Sequence, residues 1–142
     1  LYNYANLLAT GRGVAPDQGA AFKLYRVAAQ AGHAKSMNLV GRYLEEGVYC
    51  PGDKQAAWVW YERSAQGGDF RGQFSHASVL AEAGRIDEAL TWFERALAGG
   101  NLNFLRVSLA ALLEARDLRV RAMSEAWQAR IHTLQSSPVQ NR

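Results

Sequence analysis

Small and aromatic residues recur along this chain with a helical period. Ala21, Tyr25 and Ala28 stand at i, i+4 and i+7, which is one face of an α-helix. Ala57, Tyr61 and Ser64 repeat the spacing, and Ala89, Phe93 and Ala96 repeat it again. Small residues at the outer two places let a neighbouring helix come close, and the aromatic between them fills the gap. The periodicity predicts eight helices, over 1–10, 18–31, 34–46, 53–66, 70–83, 86–98, 102–115 and 118–135. No segment alternates with period two for long enough to be a strand.

The residues between these stretches act as punctuation. Pro16 and Pro51 stop the chain from continuing as helix. Asp17 and Asp53 follow them, placed to cap the next helix by accepting from free backbone N–H groups, worth roughly 1 kcal/mol each. Gly32, Gly68 and Gly100 end the second helix of each pair, where a left-handed residue is favoured.

The pattern is an internal repeat. Gly11 aligns with Gly47, Asp17 with Asp53, Tyr25 with Tyr61 and Gly32 with Gly68, all 36 positions apart. Gly84, Asp87-Glu88-Ala89-Leu90, Phe93, Ala96 and Gly100 form a third copy with a shorter loop, and a fourth from about Leu102 keeps only the helical period. The run Gly11-Arg12-Gly13-Val14-Ala15-Pro16-Asp17, followed by Ala20-Ala21, Tyr25, Ala28-Ala29 and Gly32, resembles a Sel1-like repeat, a relative of the tetratricopeptide repeat. The second copy has Tyr49-Cys50 where the motif has Gly-Val, and the third reads more like a tetratricopeptide unit. The resemblance covers about residues 1–100. It implies an all-α, right-handed α-α superhelix, or solenoid, of about four helix-turn-helix repeats. One domain over 1–135 is expected, in units of about 1–32, 33–68, 69–100 and 101–135, the last a degenerate cap with a solvated outer face. Residues 136–142 are expected to fray.

Composition narrows the classes. About half of the 142 residues are apolar and a fifth are charged, so the chain can bury a core without metal or disulfide staples. The single cysteine, Cys50, excludes an intramolecular disulfide and slightly favours a reducing, cytoplasmic compartment. A leader removed before Leu1 would make it periplasmic instead. No run approaches the roughly 18–20 apolar residues of a membrane span. The net charge of +3 lies wholly in the last 41 residues, because residues 1–101 hold 10 basic and 10 acidic side chains.

Candidate chemistry is sparse. Gly11-x-Gly13 lacks the preceding strand and third glycine of a phosphate loop. His33, His76 and His132 have no partner at metal-ligand spacing, and Cys50 has no local base. No catalytic residue, metal or cofactor is assigned. Tyr61 and Phe93 occupy the core place of their repeats, Trp58 and Trp92 are expected to pack between units, and Trp60 is expected to be partly exposed. In the last helix Met123, Trp127, Ile131 and Leu134 form an apolar stripe. Arg119, Arg121 and Arg130 lie mostly outside it, as a solvated basic face or a secondary site for an acidic partner.

The resemblance further implies that the first helix of each unit lines a concave face. Aligning on Gly11, Gly47 and Gly84 puts Tyr4, Val40 and Ala77 at the inter-helix core. Tyr2, Asn6, Asn38, Arg42, Ser75 and Val79 then point to the groove, flanked by Lys35, Glu45 and Glu82. Amides and charges on a rigid surface suit a peptide or extended segment of another protein. The expected function is a non-catalytic adaptor or scaffold. The alternatives are an immunity or inhibitor protein that blocks a toxin, a piece of a longer structural array, and an enzyme. Another protein is the expected partner, with a weak homodimer as a further candidate. Nucleic acid is not expected, because no dense basic run is present.

Overall fold

The computed structural model describes residues 1–12 and 15–136. Among these, every regular element is a helix: α1 (Tyr2–Thr10), α2 (Gln18–Gln30), α3 (Ala34–Glu46), α4 (Lys54–Gln66), α5 (Phe70–Glu82), α6 (Ile86–Gly99), α7 (Leu102–Leu113) and α8 (Leu118–Gln135). Their ends fall within two residues of those the periodicity predicts. The Gly13-Val14 pair of the loop motif lies outside the described residues, as does the expected frayed tail apart from Ser136. The chain divides into two compact units, Leu1–Gly72 and Gln73–Arg142.

The loops of the first two repeats close in the same way. At one end Gly11 N–H bonds to Leu7 O at 2.8 Å, and Gly47 N–H to Tyr43 O at 3.0 Å. At the other end Asp17 N–H reaches Leu8 O at 2.7 Å, and Asp53 N–H reaches Leu44 O at 2.9 Å. Each aspartate then caps the helix that follows. Asp17 accepts from Ala20 N–H at 2.9 Å and Asp53 from Ala56 N–H at 3.0 Å, as their places predict. The second helices end at Gly32 and Gly68, with φ of 99° and 88°. Gly100 departs from this expectation. Its φ is −72°, which any residue adopts, and a Cβ there would stand 2.5 Å from the Phe104 ring. Space, not handedness, requires that glycine.

In the first unit α2 and α4 supply the predicted small–aromatic–small faces. Ala21, Tyr25, Ala28, Ala57, Tyr61 and Ser64 are all buried. Ala5, Phe22, Ala29, Met37 and Val40 complete a core with Ala21 and Tyr25, and Tyr2, Tyr43, Cys50 and Trp60 pack around it. Two glycines permit close helix crossings. A Cβ on Gly41 would meet the Tyr61 ring at 2.6 Å, and one on Gly72 would meet Ser64 Oγ at 2.0 Å. Ser64 itself donates to Ala34 O at 2.7 Å, and Asp69 caps α5 by accepting from Gly72 N–H at 2.9 Å.

Two sequence expectations change here. Val40 is buried as predicted, but Tyr4 is 54% exposed and Ala5, the next residue, is the buried one. Val40 and Ala5 belong to the same buried cluster, so α1 presents Ala5 to the core where α3 presents Val40. Trp58 is exposed rather than packed between units, while Trp60 is half-buried under the Arg63 guanidinium, 4.6 Å from its ring centre.

The second unit is built on aromatic edges. Phe74 meets Phe93 at 5.2 Å, Phe104 at 5.8 Å and Trp127 at 6.1 Å between ring centres. Trp127 is fully buried, and its indole N–H donates to Ser108 Oγ at 2.9 Å. Ser108 passes its own proton to Phe104 O at 2.7 Å. Trp127 and Leu134 of the expected stripe on α8 are buried, Met123 and Ile131 are half-buried, and Val120 and Ser124 are buried with them. Asn101 and Asp117 cap α7 and α8, which the loop pattern alone does not reveal. Ala77, Ala89 and Ala96 are buried as expected.

Candidate functional site

The surface to which the sequence points begins with α3. Its buried side carries Ser36, Met37, Val40 and Gly41, so Lys35, Arg42 and Glu45 are held outward on a rigid helix. Lys35 and Arg42 are seven residues apart and share one face. Each of these outward groups stands beside an aromatic support or a charge. The Lys35 ammonium lies 5.9 Å from the centre of the Tyr2 ring, and Glu45 accepts from the Tyr61 hydroxyl at 2.7 Å.

α1 contributes Tyr2 and Asn6, both half-buried. Asn6 accepts from the Tyr25 hydroxyl, so its side-chain oxygen is already engaged. Tyr2 sits against Tyr25 at 5.9 Å and His33 at 4.8 Å. Tyr43 continues the aromatic row, 6.0 Å from Tyr25, and donates to the Gln18 side chain. The row therefore acts as a stiff floor under the polar rim. Burial and the neighbouring Tyr43 and Tyr2 push the Tyr25 phenol up to about 12. Burial and the bond to Glu45 raise Tyr61 further. Neither is available as an acid or base near neutral pH.

Asn38 does not stand in an open groove. It is 4% exposed, although Lys35 and Arg42 on the same face are exposed. A partner would meet the charges and not this amide. Ser75 and Val79 belong to α5 in the second unit and are half-buried there.

The basic face of α8 is also partly spent within the fold. Arg119 donates to Asp87 of α6 at 2.9 Å, and Arg121 donates twice to Ala115 O, at 2.9 and 2.7 Å. Arg130 is exposed. A surface pair of this kind contributes about 0–1 kcal/mol, so Arg119 can exchange partners at little cost.

Cys50, His33 and His76 are held within the fold. Cys50 is half-buried, its Sγ 3.5 Å from Tyr43 O, and burial raises its pKa above the ordinary thiol value. Such a thiol is a poor nucleophile. His33 bonds to Ser36 at the start of α3, and His76 lies edge-on to Trp92 at 5.2 Å. Among the described residues no group of three His, Cys, Asp or Glu side chains could hold a metal ion. Among them, no helix is long and apolar enough to cross a membrane.

Comparison with known proteins agrees with this architecture. A model of the Sel1 repeat matches residues 1–33, 34–69 and 86–101. The chain superposes on the crystal structure of a Sel1 repeat protein from Oxalobacter formigenes with a TM-score of 0.68 and 25% identity, over 93% of its own length. It superposes on a protective antigen of uropathogenic Escherichia coli that displays an SLR fold, with a TM-score of 0.72 and 19% identity, again over 93%. The chain spans 56% of the first protein and 29% of the second. No curated protein matches it. The fold is the all-α repeat solenoid of these structures.

Proposed function

The chain belongs to the Sel1-repeat family, whose members are generally protein–protein interaction modules, and from that premise we propose that it is a non-catalytic adaptor. It would bind a protein partner on the outward face of α3, with Lys35, Arg42 and Glu45 as the polar contacts and Tyr2 and Asn6 of α1 beside them. The observation that supports this reading is the split character of α3. One side is locked in the core while Lys35 and Arg42 remain exposed on the other. A helix held in this way presents charge with little ordering cost on binding. A carboxylate-bearing segment that bridges the two cations is the chemistry this face fits best, with Glu45 setting its direction.

The test is capture of partners from source-cell lysate by the wild type and by Lys35→Glu/Arg42→Glu, identified by mass spectrometry. Both side chains are exposed, so the variant should keep its helical circular dichroism and its Tm within about 2 °C. A protein captured by the wild type and lost by this folded variant supports the reading. Equal capture by both forms removes α3 as the binding face.

A further inference from the structure

The second unit contains a cleft of about 900 Å³ that the sequence does not announce. It opens between α5 and α6 on one side and α7 and α8 on the other. Phe74, Phe93, Ile86, Leu112 and Val120 form its apolar floor. Glu82, Glu114 and Asp117 stand at its edge, with Arg116 as the one basic side chain among the lining residues. Its volume lies in the range of sites that hold small ligands or anchoring side chains, roughly 300–1,000 Å³.

The third repeat differs from the second at the loop beside the cleft. In the second repeat the chain runs from Gly47 to Asp53 before α4 begins. In the third it runs only from Gly84 to Arg85, five residues fewer. The longer loop lays Cys50 against the core, and Tyr49 meets the Tyr43 ring edge-on at 6.1 Å, covering the end of α3. The third repeat has no residues to do this, and Gly84 and Ile86 line the cleft directly.

A second substitution between repeats sets the cleft's chemistry. Tyr61 donates its hydroxyl to Glu45, two residues before Gly47. The matching pair in the third repeat is Phe93 and Glu82, two residues before Gly84. Phe93 has no hydroxyl, so the Glu82 carboxylate lines the cleft without the donor that its counterpart has. Glu114 adds a second carboxylate, and neither glutamate forms an ion pair among the described residues. Asp117 uses one oxygen to cap α8.

We propose that this cleft is a second binding site, which takes an extended basic segment of a partner protein. An apolar side chain of that segment would seat against Phe74 and Ile86, and an adjacent lysine or arginine would meet Glu82 and Glu114. Glu82 and Glu114, neither of them in an ion pair among the described residues, outnumber the Arg116 guanidinium and select a cation over an anion at the rim, while Asp117 is held by its capping bonds and by Arg119 at 3.9 Å. The aromatic floor holds the apolar anchor. This site is separate from the α3 face and does not depend on it.

The test uses two blocked pentapeptides, glycine–phenylalanine–lysine–lysine–glycine and its counterpart with two glutamates in place of the lysines. Each is titrated into the ¹⁵N-labelled chain and followed by amide NMR shifts. The lysine peptide is expected to bind at least fivefold more tightly and to move the amides of Ala81, Leu112 and Val120. Glu82→Gln/Glu114→Gln, at two exposed positions, should reduce that preference to about one. Ala111→Trp should block both peptides, because Ala111 lines the cleft. Lys35→Glu/Arg42→Glu should leave binding unchanged, which separates this site from the α3 face. Equal affinity for the two peptides, shifts centred outside the cleft, or full binding by a folded Ala111→Trp protein would each overturn the proposal.

Discussion

Gly41→Ala is a perturbation whose sign reports on packing. On intrinsic propensity alone, replacing a glycine inside a helix with alanine stabilises by about 1 kcal/mol. At Gly41 the added Cβ would stand 2.6 and 2.7 Å from two Tyr61 ring carbons and 3.1 Å from Ala57 O. The carbonyl belongs to the backbone of α4 and cannot turn aside. The ring is 3% exposed and its hydroxyl is tied to Glu45. Overpacking of this kind costs about 1–3 kcal/mol, and displacing the ring also strains a hydrogen bond worth about 1 kcal/mol. The net expectation is a destabilisation of about 1–3 kcal/mol. The internal control is Gly19→Ala in α2, where the nearest atom to a Cβ is Asp17 Oδ1 at 3.6 Å, so stability should rise by a few tenths to about 1 kcal/mol. Both are measured by urea unfolding followed by circular dichroism, with the m-value as a check that the transition is unchanged. If Gly41→Ala stabilises as Gly19→Ala does, the close contact with Tyr61 does not limit the crossing of α3 and α4.

Two further outcomes are expected. Trp127→Ala should destabilise the second unit by about 3–5 kcal/mol, read from loss of urea midpoint, because it empties a fully buried site and strips Ser108 of its indole donor. The Tyr25 phenol holds its proton until about pH 12 in the folded chain but releases it near 10.0 when unfolded, so the unfolded state binds fewer protons between these values. The Tyr25 contribution should therefore be constant below pH 10 and be lost as the pH rises from about 10 to 12, so Tyr25→Phe should fall less steeply across that window. A wild type and a variant with the same alkaline profile would contradict the burial of this phenol.

Much of the fold is legible in the sequence because one short rule is written several times. An aspartate after a proline, an aromatic between small residues and a closing glycine predict Asp17, Tyr25 and Gly32 together, and the same places 36 positions on predict Asp53, Tyr61 and Gly68. What the alignment does not carry is whether another helix covers a position. Tyr4 and Val40 hold the same place in their repeats, yet only Val40 is buried. Asn38 fails as a groove residue for the opposite reason, since a position on an outward stripe can still be enclosed by its surroundings. The internal partners of Arg119 and Arg121 were hidden because they lie on α6 and in the turn before α8, not on the helix whose periodicity was read. The cleft has one signal in the sequence, the exchange of Tyr61 for Phe93, and it has no meaning until Tyr61 is seen to donate to Glu45.

The loops of the first two repeats are fastened at both ends by main-chain bonds, Gly11 and Gly47 on one side and Asp17 and Asp53 on the other. Such bonds do not depend on which side chains lie between them. The interior of the loop is therefore free to drift, and the Gly-Val of the first copy can stand as Tyr-Cys in the second while the helices keep their places. The sequence between two such anchors can therefore change while the frame that the anchors hold stays as it is.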